Sequence, residues 1–286
     1  MEMDRTPPQW LPPRSPQPAP APAPPPDPPR SGLRRLTGPI VVALVMLVKW
    51  GKAALLLLPK AKLLTTSASM LVSVGAYSLI WGWRFALGFV VLLFIHEMGH
   101  YIQLRREGVK PSGMLFIPFL GAAVGARSLG GSALAEARVG LAGPILGSLA
   151  TAALLPIAAA TGDEFWRALA FTGFFLNLFN LLPVVPLDGG RAMAAMAPWM
   201  WFVGFAALIG LAVAFPNPII LLILVFGGLE TWRRWKARRS GDEEQQAYYR
   251  VKPAHRLLVA AVYLGLIALL VVGMTHAHVA RDFSDV

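Results

Sequence analysis

Apolar positions along the chain gather into runs close to the roughly 20 residues that a helix needs to cross a hydrocarbon core. The runs predict seven spans, over 63–82, 84–104, 135–160, 164–186, 199–215, 217–235 and 254–274. Trp81-Gly82-Trp83 forms an aromatic belt at the end of the first, and Pro216-Asn217-Pro218 separates the fifth from the sixth. The earlier run 38–58 is also long enough, but it contains Lys49 and Lys52 and is followed by Lys60 and Lys62. Each interior lysine would cost roughly 3 kcal/mol at the centre of a span. The run therefore reads as a helix lying in the interface with its lysines snorkelling to headgroups; a true span is the other reading.

Two stretches break the pattern. The first thirty or so residues are Pro-rich (PPQWLPPRSPQPAPAPAPPPDPPR) and predict an extended, disordered tail. Residues 111–132, PSGMLFIPFLGAAVGARSLGGS, are apolar but short, and Pro111, Pro118 and several glycines interrupt them. Irregular backbone is not tolerated against lipid, so this segment is expected to re-enter and lie against protein. Met114-Leu115-Phe116-Ile117 and Ala122-Ala123-Val124 suit short strands around a bend. An exposed strand edge there could pair with an extended substrate; a purely structural re-entrant loop is the alternative.

Composition sharpens the class. Of 286 residues, 56% are hydrophobic and only 14% charged, against about 25% charged in soluble domains. The chain reads as an integral membrane protein. Its net charge of +11 would suggest nucleic acid in a soluble protein. Here the basic residues flank apolar runs, as orientation signals do, and nucleic acid is discounted. Arg34, Arg35, Lys60, Lys62, Arg105, Arg106, Lys110, Arg127, Arg138, Arg191 and the Arg233–Arg239 cluster all fall on one side, which places the N-terminal tail in the cytoplasm. The first apolar run begins too late for a cleavable signal peptide. Cys is absent, so disulfides and thiolate metal ligands are excluded.

The second predicted span carries His96-Glu97-Met98-Gly99-His100. Histidines four apart on a helix lie about 40° apart around its axis and roughly 6 Å along it, so both can reach one metal ion. The adjoining Glu can take a proton from water at the metal, the H-E-x-x-H logic of zinc hydrolases. Ionisable residues inside a span are costly and usually functional. A third ligand is needed. His276 and His278 fall beyond the outer end of the last span, and His255 has no supporting pattern. Asp188, in NLLPVVPLDGGR, ends the fourth span at matching depth. Pro183 and Pro186 break the helix there, and Gly189-Gly190 allow a close backbone approach.

HEMGH, the re-entrant segment, GLAGPILG (Gly140 to Gly147) and NLLPVVPLDGGR together resemble the site-2 protease family of intramembrane zinc metalloproteases, over roughly residues 63–192. The resemblance implies one zinc ion per chain held by His96, His100 and Asp188, with Glu97 activating water. It also implies that Asn180, eight residues before Asp188, helps hold substrate or stabilise an oxyanion; Asn177 is read as structural. Gly140, Gly143 and Gly147 are read as helix-packing positions, and Pro144 as a kink that opens a water route.

The expected fold class is an all-α polytopic membrane protein with a site-2-protease-like three-helix core, a short re-entrant β segment and additional transmembrane helices. The expected divisions are a disordered Pro-rich cytoplasmic tail (1–37), an interfacial amphipathic helix (38–62), the metalloprotease core (63–192) and accessory helices (193–286) with a basic cytoplasmic loop at 233–252. Only Thr161-Gly162-Asp163 separates the third and fourth spans, which leaves no room for a PDZ domain; no C-terminal nucleotide-sensing domain is apparent either. By the resemblance, the partners are the bilayer and a membrane-anchored protein substrate, the reaction is peptide hydrolysis within or near the substrate's span, and the setting is a prokaryotic plasma membrane with the site near the cytoplasmic side. The rival readings are a metal-ion transporter using the same ligands and a non-catalytic binder of membrane helices. Inverted repeats would favour a transporter and none is evident. A transporter also has no special need of Glu97.

Overall fold

The computed structural model describes residues 61–126 and 128–278. The expectations for the Pro-rich tail and for the interfacial helix up to residue 60 lie outside the described residues.

Helix α1 (Ala61–Trp81) and helix α2 (Trp83–Arg106) are split at Gly82, whose φ of 77° favours a residue without Cβ. The hairpin β1 (Met114–Ile117) and β2 (Gly121–Val124) follows, antiparallel with Met114 opposite Val124 and Ile117 opposite Gly121. The expected short strands are therefore present, β2 one residue longer at its start. The hairpin lies against the helices. Thr66 Oγ1 donates to the Met114 carbonyl at 2.8 Å and accepts from the Met114 amide at 3.2 Å. The Phe116 amide donates to Ser69 Oγ at 3.2 Å and the Phe119 amide to Tyr77 Oη at 3.0 Å. Side chains of α1 thus satisfy the outer edge of β1, while β2 packs beside α2.

The predicted third span is two helices, α3 (Ala133–Ala152) and α4 (Leu154–Thr161). Pro156 accounts for the break, because its ring would clash with the carbonyl of residue 152 in a continuous helix. Ser132 caps α3 by accepting from the Ala135 amide, and Asp163 caps α5 (Glu164–Asn180) by accepting from the Phe165 amide. The predicted fourth span ran to 186, but α5 stops at Asn180, since Pro183 and Pro186 cannot extend it. The chain turns through Leu181–Leu187 into α6 (Asp188–Met196), then α7 (Met200–Ala214), α8 (Pro218–Arg239), α9 (Glu243–Tyr248) and α10 (Pro253–Ala277).

Four helical stretches among the described residues are long and apolar enough to cross a bilayer, against the seven expected: Leu63–Trp81, Trp83–Arg106, Ala133–Thr161 and Pro253–Ala277. Helix α5 has 17 residues and α7 has 15. The last turns of α8 carry Arg233, Arg234, Lys236, Arg238 and Arg239, which leaves too short an apolar stretch before Glu230. The chain is a polytopic integral membrane protein, with large apolar side chains such as Leu79, Val213 and Leu257 left exposed for lipid.

Buried apolar side chains form two clusters, one joining α3, α5, α6 and α10 and one joining α1, α2, β1 and Leu169 of α5. Helices α2 and α3 come close at Gly99, where a Cβ would stand 2.3 Å from the Ala142 carbonyl oxygen. Gly99 is the glycine of HEMGH, so a close backbone contact falls within the histidine motif. On the far side, Tyr263 of α10 donates its hydroxyl to the Leu181 carbonyl, freed where α5 ends.

Candidate metal centre

His96 and His100 project from α2 as the four-residue spacing requires, and their ring centroids lie 4.9 Å apart. Asp188 enters from the first turn of α6. All three are buried, with 2%, 3% and 6% of their surface exposed. Each of His96 Nε2, His100 Nε2 and Asp188 Oδ2 is 3.1 Å from the other two. Among the described residues these are the only three His, Asp or Glu side chains grouped to hold a metal ion. His255 and His276 lie on α10 and His278 just beyond it, outside this group.

The ring tautomers follow from the neighbours. His100 Nδ1 is 2.7 Å from the Val139 carbonyl oxygen, which can only accept, so Nδ1 carries the proton. His96 Nδ1 is 2.8 Å from Asn177 Oδ1, and the Asn177 amide nitrogen donates to the Gly173 carbonyl at 2.8 Å. That second bond fixes which way the amide faces and makes Oδ1 the acceptor for His96. Both Nε2 atoms of the neutral rings therefore present lone pairs to one another and to a carboxylate oxygen. Such an arrangement is stable around a cation. Donors about 2.0–2.2 Å from a tetrahedral zinc stand roughly 3.3–3.5 Å apart, close to the triangle found here. The donor set, two imidazoles and a carboxylate without sulfur, fits zinc.

The Asp188 carboxylate is divided between two neighbours. Oδ2 faces the histidines, and Oδ1 lies 3.7 Å from the Arg191 guanidinium one turn on. Glu97, next to His96, is 6% exposed, and its carboxylate makes no hydrogen bond or ion pair with any described residue.

The two asparagines of α5 stand in different surroundings. Asn177, read from sequence as structural, touches His96 directly and is 1% exposed. Asn180 is half-buried at the end of α5, and its side chain makes no hydrogen bond to the described residues. It stands three residues after Asn177, on the same side of the helix.

The glycines of α3 do more than bring helices together. A Cβ on Gly143 would stand 2.2 Å from His100 Nε2, and one on Gly147 would stand 2.5 Å from Asn177 Oδ1. One on Gly140 would stand 2.8 Å from the Asp188 carbonyl oxygen. The stripe clears the volume that the site side chains occupy. Its spacing of three and four beside an H-E-x-x-H helix is the signal that could have shown this.

Asn177→Ala is expected to strand the His96 Nδ1–H and to weaken zinc binding by about 10–100-fold, the range found when a group that orients a metal-ligating His is lost. Asn177→Asp keeps the acceptor and should retain most of the affinity. Competition against a chromogenic chelator reads both.

Peptidase family M50 matches the chain over residues 84–163 and 156–215. A zinc metalloprotease of Methanocaldococcus jannaschii is 28% identical over 161 residues, 54% of this chain and 46% of that protein. A Mycobacterium tuberculosis protein named Rip3, provisionally described as a zinc metalloprotease, is 32% identical over 176 residues, 55% of this chain and 42% of that protein. The chain thus spans somewhat under half the length of the curated relatives it matches. The first family match opens at Arg84, upstream of HEMGH, and the second runs past NLLPVVPLDGGR, so together they take in every residue of the metal centre. Over residues 84–215 the chain is thus similar to peptidase family M50.

Proposed function

We propose that the chain is an intramembrane zinc metalloendopeptidase that hydrolyses membrane-anchored proteins within or near their spans. The observation that carries this reading is the meeting of two bare imidazole nitrogens and a carboxylate oxygen, with Glu97 one residue from the first ligand. His96, His100 and Asp188 would hold one zinc ion. Zinc there supplies Lewis acidity, polarising a peptide carbonyl and making water acidic enough to lose a proton near neutral pH. Glu97 accepts that proton as general base and returns it to the leaving amine as general acid. Its carboxylate is well suited to this, because among the described residues no cation or donor holds it. Asn180 lies one turn beyond the residue that touches His96, and its amide is proposed to steady the scissile carbonyl.

The substrate must be unwound to expose that carbonyl. Backbone groups of Met114 and Phe116 in β1 face α1. By the alternation of an antiparallel pair, Leu115 and Ile117 then bond to β2, and the outer edge of β2 offers Ala122 and Val124. That edge is the proposed seat for an extended substrate strand. The basic flanks support a site near the cytoplasmic face, and the family resemblance favours a prokaryotic plasma membrane.

The test is metal removal. Purified protein in liposomes should cleave a model single-span substrate, lose cleavage after zinc is stripped, and regain it with about one equivalent of zinc but not with magnesium. Cleavage that survives complete removal of zinc would refute the reading.

A further inference from the structure

The helix that brings Asp188 to the site is weak by itself. Helix α6 has nine residues, and Leu187 gives it no side-chain cap. So short a helix does not hold in isolation, and Gly189 and Gly190 in its first turn lower its propensity further. Those glycines are forced by sterics. A Cβ on Gly189 would stand 2.1 Å from the Leu181 carbonyl oxygen, and one on Gly190 would stand 2.4 Å from the Val184 carbonyl carbon. The order of this turn must come from elsewhere.

Helices α7 and α8 supply it. Trp201, wholly buried, donates its indole N–H to the Gly190 carbonyl at 2.7 Å. Gly204 of α7 sits where a Cβ would come within 2.3 Å of the Pro183 carbonyl, and Gly227 of α8 within 2.6 Å of the Val185 carbonyl. The segment leading into Asp188 is thus pressed by backbone from both helices.

Trp201 is held in turn. The Arg234 guanidinium lies 5.9 Å from its ring centroid. Arg234 bonds Glu136 at 2.6 Å and Glu230 at 2.8 Å, and Tyr248 donates its hydroxyl to the second Glu136 oxygen at 2.6 Å. Burial and the Glu136 carboxylate push the Tyr248 phenol above its ordinary value, so it stays a donor. Glu136 opens α3, the helix whose glycines make room for His100 and Asn177.

We propose that Trp201 is a positioning residue of the metal centre: its bond to Gly190 fixes the first turn of α6, and with it the Asp188 carboxylate, while the Glu136–Arg234–Tyr248 network fixes Trp201. Helices α7 to α9 then form part of the metal-binding unit. The inference rests on the metallopeptidase reading of His96, His100 and Asp188.

The test uses the full chain in detergent. Trp201→Phe keeps an aromatic ring and removes the N–H. Zinc affinity, read by chelator competition, is expected to fall about tenfold, the low end of the range for groups supporting metal ligands. The melting temperature of the zinc-free protein separates positioning from bulk packing. A lowered melting temperature with wild-type affinity overturns the proposal, as does no change in either. Should Trp201→Phe fail to fold, Tyr248→Phe removes one bond at the rim of the network. A fall in its zinc affinity of a few-fold supports the proposal, and unchanged affinity overturns it. Wild-type protein that binds no zinc is a separate outcome: it removes the metallopeptidase reading and the inference with it.

Discussion

Glu97→Gln is expected to bind zinc as the wild type does and to cleave a single-span substrate about a thousandfold more slowly. The size follows from the usual contribution of a positioned general base, about 10²–10⁴-fold. The substitution replaces one carboxylate oxygen by an amide at nearly constant volume, and Glu97 makes no hydrogen bond or ion pair with any described residue whose loss would disturb the fold. Its neighbours His96 and His100 keep their outer partners, Asn177 and the Val139 carbonyl. Zinc content measured beside cleavage rate separates the two effects. A mutant that lost zinc would give Glu97 a part in holding the metal, and one with wild-type rate would remove it from the chemistry.

Gly143→Ala should destroy the site while leaving helix propensity better than before. Alanine is favoured over glycine in a helix interior by about 1 kcal/mol. At Gly143, however, the new methyl would lie 2.2, 2.4 and 2.8 Å from three atoms of the His100 ring. The ring cannot slide away, since its Nδ1 is tied to the Val139 carbonyl and Nε2 faces the other ligands. Either the ring leaves the site or α2 and α3 part where Gly99 and Gly143 bring them together. Zinc affinity is expected to fall by at least about 100-fold, the upper end of what losing a ligand's support costs. Gly265→Ala on α10, where a Cβ would meet nothing within 4 Å, is the matched control and should bind zinc normally.

How far the chain declares itself differs from one feature to the next. The histidine pair is legible because a helix makes four-residue spacing geometric. Asp188 is legible because a chain without Cys needs a carboxylate as third ligand, and Pro183, Pro186 and Gly189-Gly190 mark a broken helix end where one can approach closely. The hairpin is legible because prolines and glycines bound two short apolar runs in a segment that cannot cross. The contact of Asn177 with His96 is not legible in this way. Asn177 and Asn180 both lie on one side of α5, and which one meets His96 depends on how that helix is rotated. Packing of Gly173 against Thr151 and Leu92, and of Gly147 against the amide itself, sets that rotation. The glycines of α3 look the same whether they admit another helix or an imidazole. Seven apolar runs correspond to four stretches of helix long and apolar enough to cross among the described residues, because an apolar run does not register that Pro183 ends a helix or that a cluster of arginines shares one.

The most direct test of the metal centre is the zinc X-ray absorption spectrum of the purified full-length protein. Expected is one zinc per chain in an all-nitrogen-and-oxygen environment about 2.0–2.2 Å away, with the outer-shell signature of two imidazoles. Asp188→Asn should change that spectrum or empty the site. A sulfur neighbour near about 2.3 Å, a different number of imidazoles, or a spectrum indifferent to Asp188 would contradict a centre built from His96, His100 and Asp188.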